Sequence, residues 1–229
     1  MRTDKYSVEM SPIFTSIINF NRYKTIVEVG VHMGHTTRYL CEAALKNDGF
    51  VYGFDIWGTN KYQRKQVTSK KEVDEYLKSF KLNNYELIHI DTANKKFKEI
   101  IEKKCPIIDF AFIDGDHTYS GLKNDFDIVY PLLNKFGAIA FHDTLKIDGC
   151  REFMIDLRTI YNDGTFDIID LPWGNKARRV GISLLVKRVY PIIDMKIDQV
   201  VGSPSSPEKI YEKEQNWYQN ETHINIITT

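Results

Sequence analysis

The run Val27-Glu28-Val29-Gly30-Val31-His32-Met33-Gly34-His35-Thr36-Thr37 decides how this chain is read. An apolar stretch, Thr25–Val29, carries an acid near its end and passes through two glycines, Gly30 and Gly34, into a helical pattern over Thr36–Leu45. Glycines at those points remove side chains where a strand turns sharply and where a ligand approaches the backbone. The hydroxyls of Thr36 and Thr37 are suited to capping the helix that follows. The pattern is not G-x-G-x-x-G, whose glycines seat a pyrophosphate on a helix N-terminus. Glu28 stands where the first of those glycines would be, and a negative charge there repels a pyrophosphate and suits a cation. A plain strand-to-helix turn with two convenient glycines is the alternative reading.

Working outward, further apolar runs occur at Phe50–Phe54, Tyr85–Ile90, Ile107–Ile113 and Ala138–Phe141. Near-continuous runs of this kind suit parallel strands buried on both faces. Helical patterns lie between them at Lys71–Phe80, Asn94–Lys103 and Gly121–Leu133. Such alternation implies right-handed crossovers and an open, doubly wound sheet. The rhythm then changes. After a helix over Arg151–Tyr161 come Phe166–Leu171 and Val180–Val186, joined only by Pro172–Arg179. That link cannot hold a helical crossover, so the two strands are expected to be antiparallel. The expectation is an α/β fold with a doubly wound, mostly parallel seven-stranded sheet and an antiparallel last strand.

Residues 1–189 form the expected domain and 190–229 a C-terminal extension. Within the extension, Ser206-Pro207 is suited to start a helix over Glu208–Gln219. Its Ile210, Tyr211, Trp217 and Tyr218 make a stripe too narrow to fold alone, expected to dock on the domain or to support a homo-oligomer. The connection Trp57–Lys70 is long for a compact domain and gathers Lys61, Arg64, Lys65 and Lys70, followed by Lys71. A solvated surface is the plainer reading of that run, and contact with an anionic substrate is the sharper one.

Chemistry-bearing residues collect at the carboxyl ends of the strands, the edge where open α/β sheets bind ligands. The second strand ends in Asp55, which can accept both hydroxyls of a ribose; a turn or cap aspartate is the alternative. The fourth strand runs into Asp114-Gly115-Asp116-His117 and the fifth into His142-Asp143. Several carboxylates brought close together need a cation, a proton or hydrogen bonds to offset their burial. A divalent metal held by Asp114 and Asp143 meets that need. Magnesium or manganese suits carboxylates and water, while His142 as a third ligand shifts preference toward a transition metal. Asp116 as a helix cap and His117 as a hydrogen-bonded loop histidine are the plainer readings.

Composition narrows the field. The chain has 229 residues, with 31 Lys plus Arg against 31 Asp plus Glu. Zero net charge argues against a nucleic-acid coat or a polybasic membrane binder. Cys41, Cys105 and Cys150 are widely spaced and suggest neither a disulfide framework nor a zinc knuckle. No apolar run approaches ~20 residues, and the opening MRTDKYSVEM lacks a signal-like apolar segment. A cytoplasmic protein is expected.

Glu28-x-Gly30-x-x-x-Gly34 resembles the E/D-x-G-x-x-x-G motif of class I S-adenosylmethionine-dependent methyltransferases. The resemblance assigns Glu28 to the methionine end of the cofactor, Gly30 and Gly34 to its backbone walls, and Asp55 to its ribose. Asp91 falls where that family contacts the adenine edge; Trp57 is a candidate wall of the adenosine pocket, and Asp114 borders the cofactor as well as the metal. The series Asp114-Gly115-Asp116-His117-x-Tyr119, Asp125, Pro131-Leu132-Leu133, Gly137 and His142-Asp143 is similar to one branch, that of the metal-dependent macrolide sugar O-methyltransferases and the cephalosporin hydroxylase-related proteins. The similarity runs from Thr25 to Arg188, leaving aside the Trp57–Lys70 loop. It implies magnesium on Asp114 and Asp143 and His117 as general base. This chain departs from the branch at His142, where those enzymes carry a second acid.

The resemblance therefore implies O-methylation of a small hydroxylated molecule such as a sugar or glycoside, with S-adenosyl-L-methionine as donor. A non-catalytic assembly module on the same fold stays open. A nicotinamide-dependent oxidoreductase is disfavoured by Glu28 and the antiparallel final strands, and a nucleic-acid methyltransferase by the balanced charge.

Overall fold

The computed structural model describes residues 5–58, 68–171 and 180–188. Seven strands form one sheet: β1 (Thr25–Val29), β2 (Phe50–Asp55), β3 (Tyr85–His89), β4 (Ile108–Ile113), β5 (Leu133–His142), β6 (Phe166–Leu171) and β7 (Ile182–Lys187). Their order across the sheet is β3-β2-β1-β4-β5-β7-β6. The pairs β3/β2, β2/β1, β1/β4 and β4/β5 are parallel, whereas β7 runs antiparallel to both β5 and β6. The fold is thus the doubly wound, mostly parallel sheet that the alternation implies. The antiparallel strand is last in the chain but not last in the sheet, because β6 takes the edge and β7 fills the gap beside β5.

Among the described residues six α-helices cover the two faces: α1 (Lys5–Asn21), α2 (His35–Leu45), α3 (Lys70–Ser79), α4 (Lys96–Lys104), α5 (Tyr119–Val129) and α6 (Asp148–Thr159). Alternate strand residues point to opposite faces. Ile26, Phe110, Phe112, Ala138 and Ala140 pack with Met10, Phe14 and Ile18 of α1, Leu40 of α2 and Leu77 of α3. Val27, Val29, Ala111, Ile113, Ile139 and Phe141 face Phe97 of α4, Leu122 and Phe126 of α5 and Phe153 of α6. Each fully buried large apolar side chain contributes about 1.5–3 kcal/mol of transfer free energy. The two layers clamp the central strands, so the positions at their carboxyl ends are fixed by packing on both sides.

The helix α1 is absent from the sequence reading. Its signal was the four-residue spacing of Met10, Phe14 and Ile18, masked by Pro12, which lies inside the helix and reads as a break. The Phe14 ring packs at a tilt, 4.9 Å from Phe112 and 5.7 Å from Phe110, closing the core over β4. The expected single helix over Gly121–Leu133 is shorter in the structure. It stops at Val129, and Pro131 turns the chain through a short 3₁₀ segment, Tyr130–Leu132, into β5.

Within the Trp57–Lys70 loop, residues 59–67, which include Lys61, Arg64 and Lys65, lie outside the described residues. So do the 172–179 link and the whole of 190–229 with its expected helix. No helix among the described residues is long and apolar enough to cross a membrane.

Candidate functional site

The parallel strands deliver their carboxyl ends to one rim, and two groups of side chains gather there. The first surrounds the turn after β1. Gly30 and Gly34 adopt φ of 89° and 78°, the left-handed region open to glycine. A Cβ on Gly30 would fall 2.1 Å from the carbonyl oxygen of Asp114, so this turn closes only because position 30 has no side chain. The backbone confirms that approach: Gly30 N–H donates to the Phe54 carbonyl at 2.9 Å and Asp114 N–H to the Val29 carbonyl at 2.8 Å.

Glu28 is completely buried under this turn. Thr37, one turn into α2, donates its hydroxyl to Glu28 Oε2 at 2.5 Å, while Oε1 has no hydrogen-bond partner. Burial pushes the Glu28 carboxyl well above its ordinary range; the Thr37 hydrogen bond opposes this, and the charges of Asp114 and Asp55 reinforce it. An acid in that state is stabilised by a cation, the ligand type that replacing a glycine with Glu28 suggested. The expected capping role of the threonines is corrected by the structure. The cap of α2 is Gly34, with no side-chain hydrogen bond, and Thr37 serves Glu28 instead.

Asp55, at the end of β2, accepts a hydrogen bond from the backbone N–H of His32 at 2.7 Å. That contact fixes the β1 turn, where His32 itself holds a φ of 51°. Trp57 is buried, donates its indole N–H to the His32 carbonyl at 3.1 Å and meets the His89 ring edge-on at 6.3 Å. It thereby anchors the outer wall of the same turn. Asp91 is exposed after β3, where its Oδ1 accepts from Ala93 N–H at 3.0 Å in a tight turn leading to α4. Glu28, Gly30, Gly34, Asp55 and Trp57 are therefore tied to one turn, while Asp91 sits on the next strand end along the rim.

The second group lies where β4 and β5 end. Asp114, His117, His142 and Asp143 each offer one donor atom, and these four atoms lie within 4.8 Å of one another. His117 Nε2 is 2.9 Å from Asp114 Oδ1 and 3.6 Å from Asp143 Oδ2. His142 Nδ1 is 3.1 Å from Asp114 Oδ1 and 3.6 Å from Asp143 Oδ2. Burial alone would raise the Asp114 carboxyl. The charge of His142 and the His117 hydrogen bond outweigh it and hold Asp114 well below the usual carboxylate range. Burial disfavours a charged His142, yet Asp114 and Asp143 prevail and push it up to about 10.

Several atoms in this group are left without partners. Asp143 Oδ1 and both ring nitrogens of His142 are buried with no hydrogen bond, the 3.1 Å approach to Asp114 being out of line for one. Buried polar atoms are nearly always satisfied, and each exception requires an explanation. Two carboxylates and an imidazole facing one point fit a divalent cation.

Local structure holds these groups in place. Asp143 sits at φ 57°, an uncommon conformation for a residue with a side chain. Next to it, the buried Thr144 hydroxyl lies 3.0 Å from that of Ser183 of β7, which donates to Asp170 of β6, and Asp170 pairs with Arg158 of α6 at the surface. Sequence reasoning missed this support; the signal was a lone serine inside the apolar run Ile182–Val186. Gly149 lets α6 close on the His117 carbonyl, which an added Cβ would meet at 2.7 Å. Asp116 does not join the group. Its Oδ1 accepts from Thr118 N–H at 2.9 Å in the turn before α5, and the cap expected of it is Thr118, whose hydroxyl accepts from Gly121 N–H. Asp125 of α5 is fully buried beneath Gly115 with Oδ2 unpartnered. Burial, reinforced by Asp116 and Asp91 against the Asn124 amide, raises it to about 7.

Comparison with known proteins bears on this arrangement. Residues 27–144 match the model of a family described as a methyltransferase domain. Among solved structures, the fold is similar to an O-methyltransferase from Bacillus cereus in complex with S-adenosylhomocysteine, at TM-score 0.64 and 16% identity over 82% of this chain and 84% of that one. It is also similar to the O-methyltransferase TomG from Streptomyces achromogenes in complex with S-adenosylmethionine, at TM-score 0.62 and 12% identity over 79% and 80%. Identities this low speak for the fold alone. A stretch of 36 residues is 53% identical to the uncharacterized protein R132 of Acanthamoeba polyphaga mimivirus, spanning 16% of each chain. With the family match covering just over half of its length, the chain belongs to the methyltransferase domain family, and its fold is that of the methyltransferases it resembles.

Proposed function

We propose that the protein is an S-adenosylmethionine-dependent O-methyltransferase acting on a hydroxyl of a small molecule, with a divalent metal at the β4–β5 rim. The observation that carries this reading is the convergence of Asp114, His117, His142 and Asp143 beside a turn built on Glu28 and Asp55. Glu28, buried with one oxygen unpartnered, takes the amino group at the methionine end. Gly30 and Gly34 give the backbone its close approach, Asp55 accepts the ribose hydroxyls, and Trp57 and Asp91 border the adenosine. The sulfonium supplies a methyl group activated for transfer.

Asp114, Asp143 and His142 would hold the metal, magnesium being the ion the resemblance implies and manganese an ion that carboxylates also suit. A bound divalent cation lowers the pKa of a nearby hydroxyl, which is otherwise a poor nucleophile near neutrality. His117 Nε2 takes the proton, and Asp114 at 2.9 Å with Asp143 at 3.6 Å stabilises the imidazolium that forms. General base action of this kind is worth about 10²–10⁴ in rate. Holding donor and acceptor along one rim supplies the orientation. Two adjacent hydroxyls engage such a site better than one, hence a sugar, glycoside or catechol as acceptor. The balanced charge favours this class over nucleic acid, and three buried free cysteines suit a reducing cytoplasm.

The experiment is methyl transfer from labelled S-adenosylmethionine to a panel of polyols, glycosides and catechols, with and without chelator, on the wild type and His117→Ala. Label appearing in one acceptor class, lost with chelator and reduced in His117→Ala, supports the reading. Label transferred equally well in the presence of chelator removes the metal from it.

A further inference from the structure

The donor set at the β4–β5 rim mixes nitrogen with oxygen: His142 Nδ1 and His117 Nε2 face Asp114 Oδ1 and Asp143 Oδ2. Two features of His142 set it apart. Its ring is nearly buried, with 12% of the side chain exposed, and is held edge-on by Phe112 at 6.0 Å. Neither ring nitrogen has a hydrogen-bond partner. Beside it Asp143, itself only 9% exposed, leaves Oδ1 unpartnered as well. A metal-binding imidazole is neutral, so an ion at this rim displaces the proton that Asp114 and Asp143 otherwise favour on the ring. The carboxylate oxygens of Asp114 and Asp143 close to Nδ1 cannot donate a hydrogen bond to it.

We propose that His142 is a nitrogen ligand and that the site therefore selects a transition-series divalent ion, of the manganese, iron, cobalt or zinc kind, over magnesium. This rests on the reading that an ion binds at this rim, and deepens it by naming the class of ion. Magnesium asks for hard oxygen donors in a strict octahedral cage and gives up its waters reluctantly. Imidazole nitrogen suits the later first-row ions. The separations of 3.1 and 3.6 Å between His142 Nδ1 and the Asp114 and Asp143 oxygens are close to the ~3.4 Å spacing of neighbouring ligand atoms on an ion with bonds of about 2.1 Å. A histidine at 142 also removes one negative charge relative to an acid there, which weakens the hold on a strongly hydrated ion such as magnesium.

Mixed nitrogen and oxygen sites generally favour later ions over magnesium, so the decisive quantity is how the preference changes when position 142 changes. Full-length protein stripped with chelator is titrated with magnesium, manganese and cobalt(II) by calorimetry, in the absence of methyl donor and acceptor. The same titrations are run on His142→Asp and His142→Asn. In the wild type cobalt binds at least ~1,000-fold more tightly than magnesium, and in His142→Asp that ratio falls at least tenfold. The visible cobalt(II) absorption of the wild type shifts in both variants, because a nitrogen has left the coordination sphere. If His142→Asp fails to fold, His142→Asn carries the test, losing cobalt affinity with no gain in magnesium affinity. A ratio unchanged in the folded variants, or an unmoved cobalt spectrum, overturns the proposal. Binding of S-adenosylhomocysteine is measured on the same preparations. No ion binding at all overturns both this inference and the metal role above, while retained S-adenosylhomocysteine binding leaves the methyltransferase reading standing.

Discussion

Thr37 donates its hydroxyl hydrogen to Glu28 at 2.5 Å, and the second carboxylate oxygen of Glu28 is buried with no hydrogen-bond partner. The acid is thereby oriented by its own domain and left with one oxygen for a ligand. In Glu28→Gln the shape is kept and the charge is lost. Hydrogen bonds to charged groups are worth about 1.5–3 kcal/mol, so the affinity for S-adenosylhomocysteine falls about 10- to 100-fold. Calorimetry checks this, and unaltered affinity withdraws Glu28 from the methionine end.

Asp55 and Asp143 belong to different groups on the rim, and their loss has different consequences. Asp55→Ala weakens S-adenosylhomocysteine binding, both through the ribose and through the freed His32 turn. In the presence of chelator Asp143→Ala leaves that binding within about threefold of the wild type, and it abolishes metal-dependent turnover. Titrating both variants with and without chelator separates the two roles.

Gly30 is expected to be intolerant of any side chain. The added methyl of Gly30→Ala would fall 2.1 Å from the Asp114 carbonyl at a φ of 89°. Positive φ alone costs about 1–2 kcal/mol for a residue with a Cβ. The clash adds to it, so unfolding by denaturant shows a loss above ~3 kcal/mol or no folded protein. Gly58→Ala is the control, with a φ of 76° but nothing within 4 Å. It should show the conformational cost alone.

Asp125 makes stability depend on pH. Its folded pKa is raised to about 7 from an ordinary 3.8, chiefly by burial. Between those values the folded state keeps a proton that the unfolded chain has released. Its contribution is thus complete below about pH 4 and declines as pH rises toward 7, with a slope of at most ~1.4 kcal/mol per pH unit. Asp125→Asn removes that slope. Denaturation midpoints of the two proteins should diverge from pH 4 to 7 in favour of the variant; parallel curves would show that Asp125 is ionised in the folded state.

Much of this architecture is legible in the residues themselves. Central strands such as Ile108–Ile113 are apolar almost throughout because both of their faces are covered, and that pattern needs no tertiary information. Glu28, Asp55, Asp114 and Asp143 could be singled out because strand ends in a parallel sheet share one edge. What sequence could not supply is what happens across elements. Thr37 looked like a cap, since a hydroxyl at a helix start commonly is one; only the fold brings it under the β1 turn. Ser183 and Asp170 support Asp143 from strands far along the chain. The helix α1 was hidden by Pro12, whose cost is outweighed by the burial of Met10, Phe14 and Ile18 against the sheet.

The near-contact between the Gly30 peptide and the Asp114 carbonyl has a mechanical consequence. No side chain cushions the two strand ends, so a displacement of one is transmitted to the other. Occupancy of the donor pocket and occupancy of the cation centre should then be energetically linked, and linkage of equilibria is reciprocal. Whatever tightening the nucleoside confers on the ion, the ion must return to the nucleoside in equal measure.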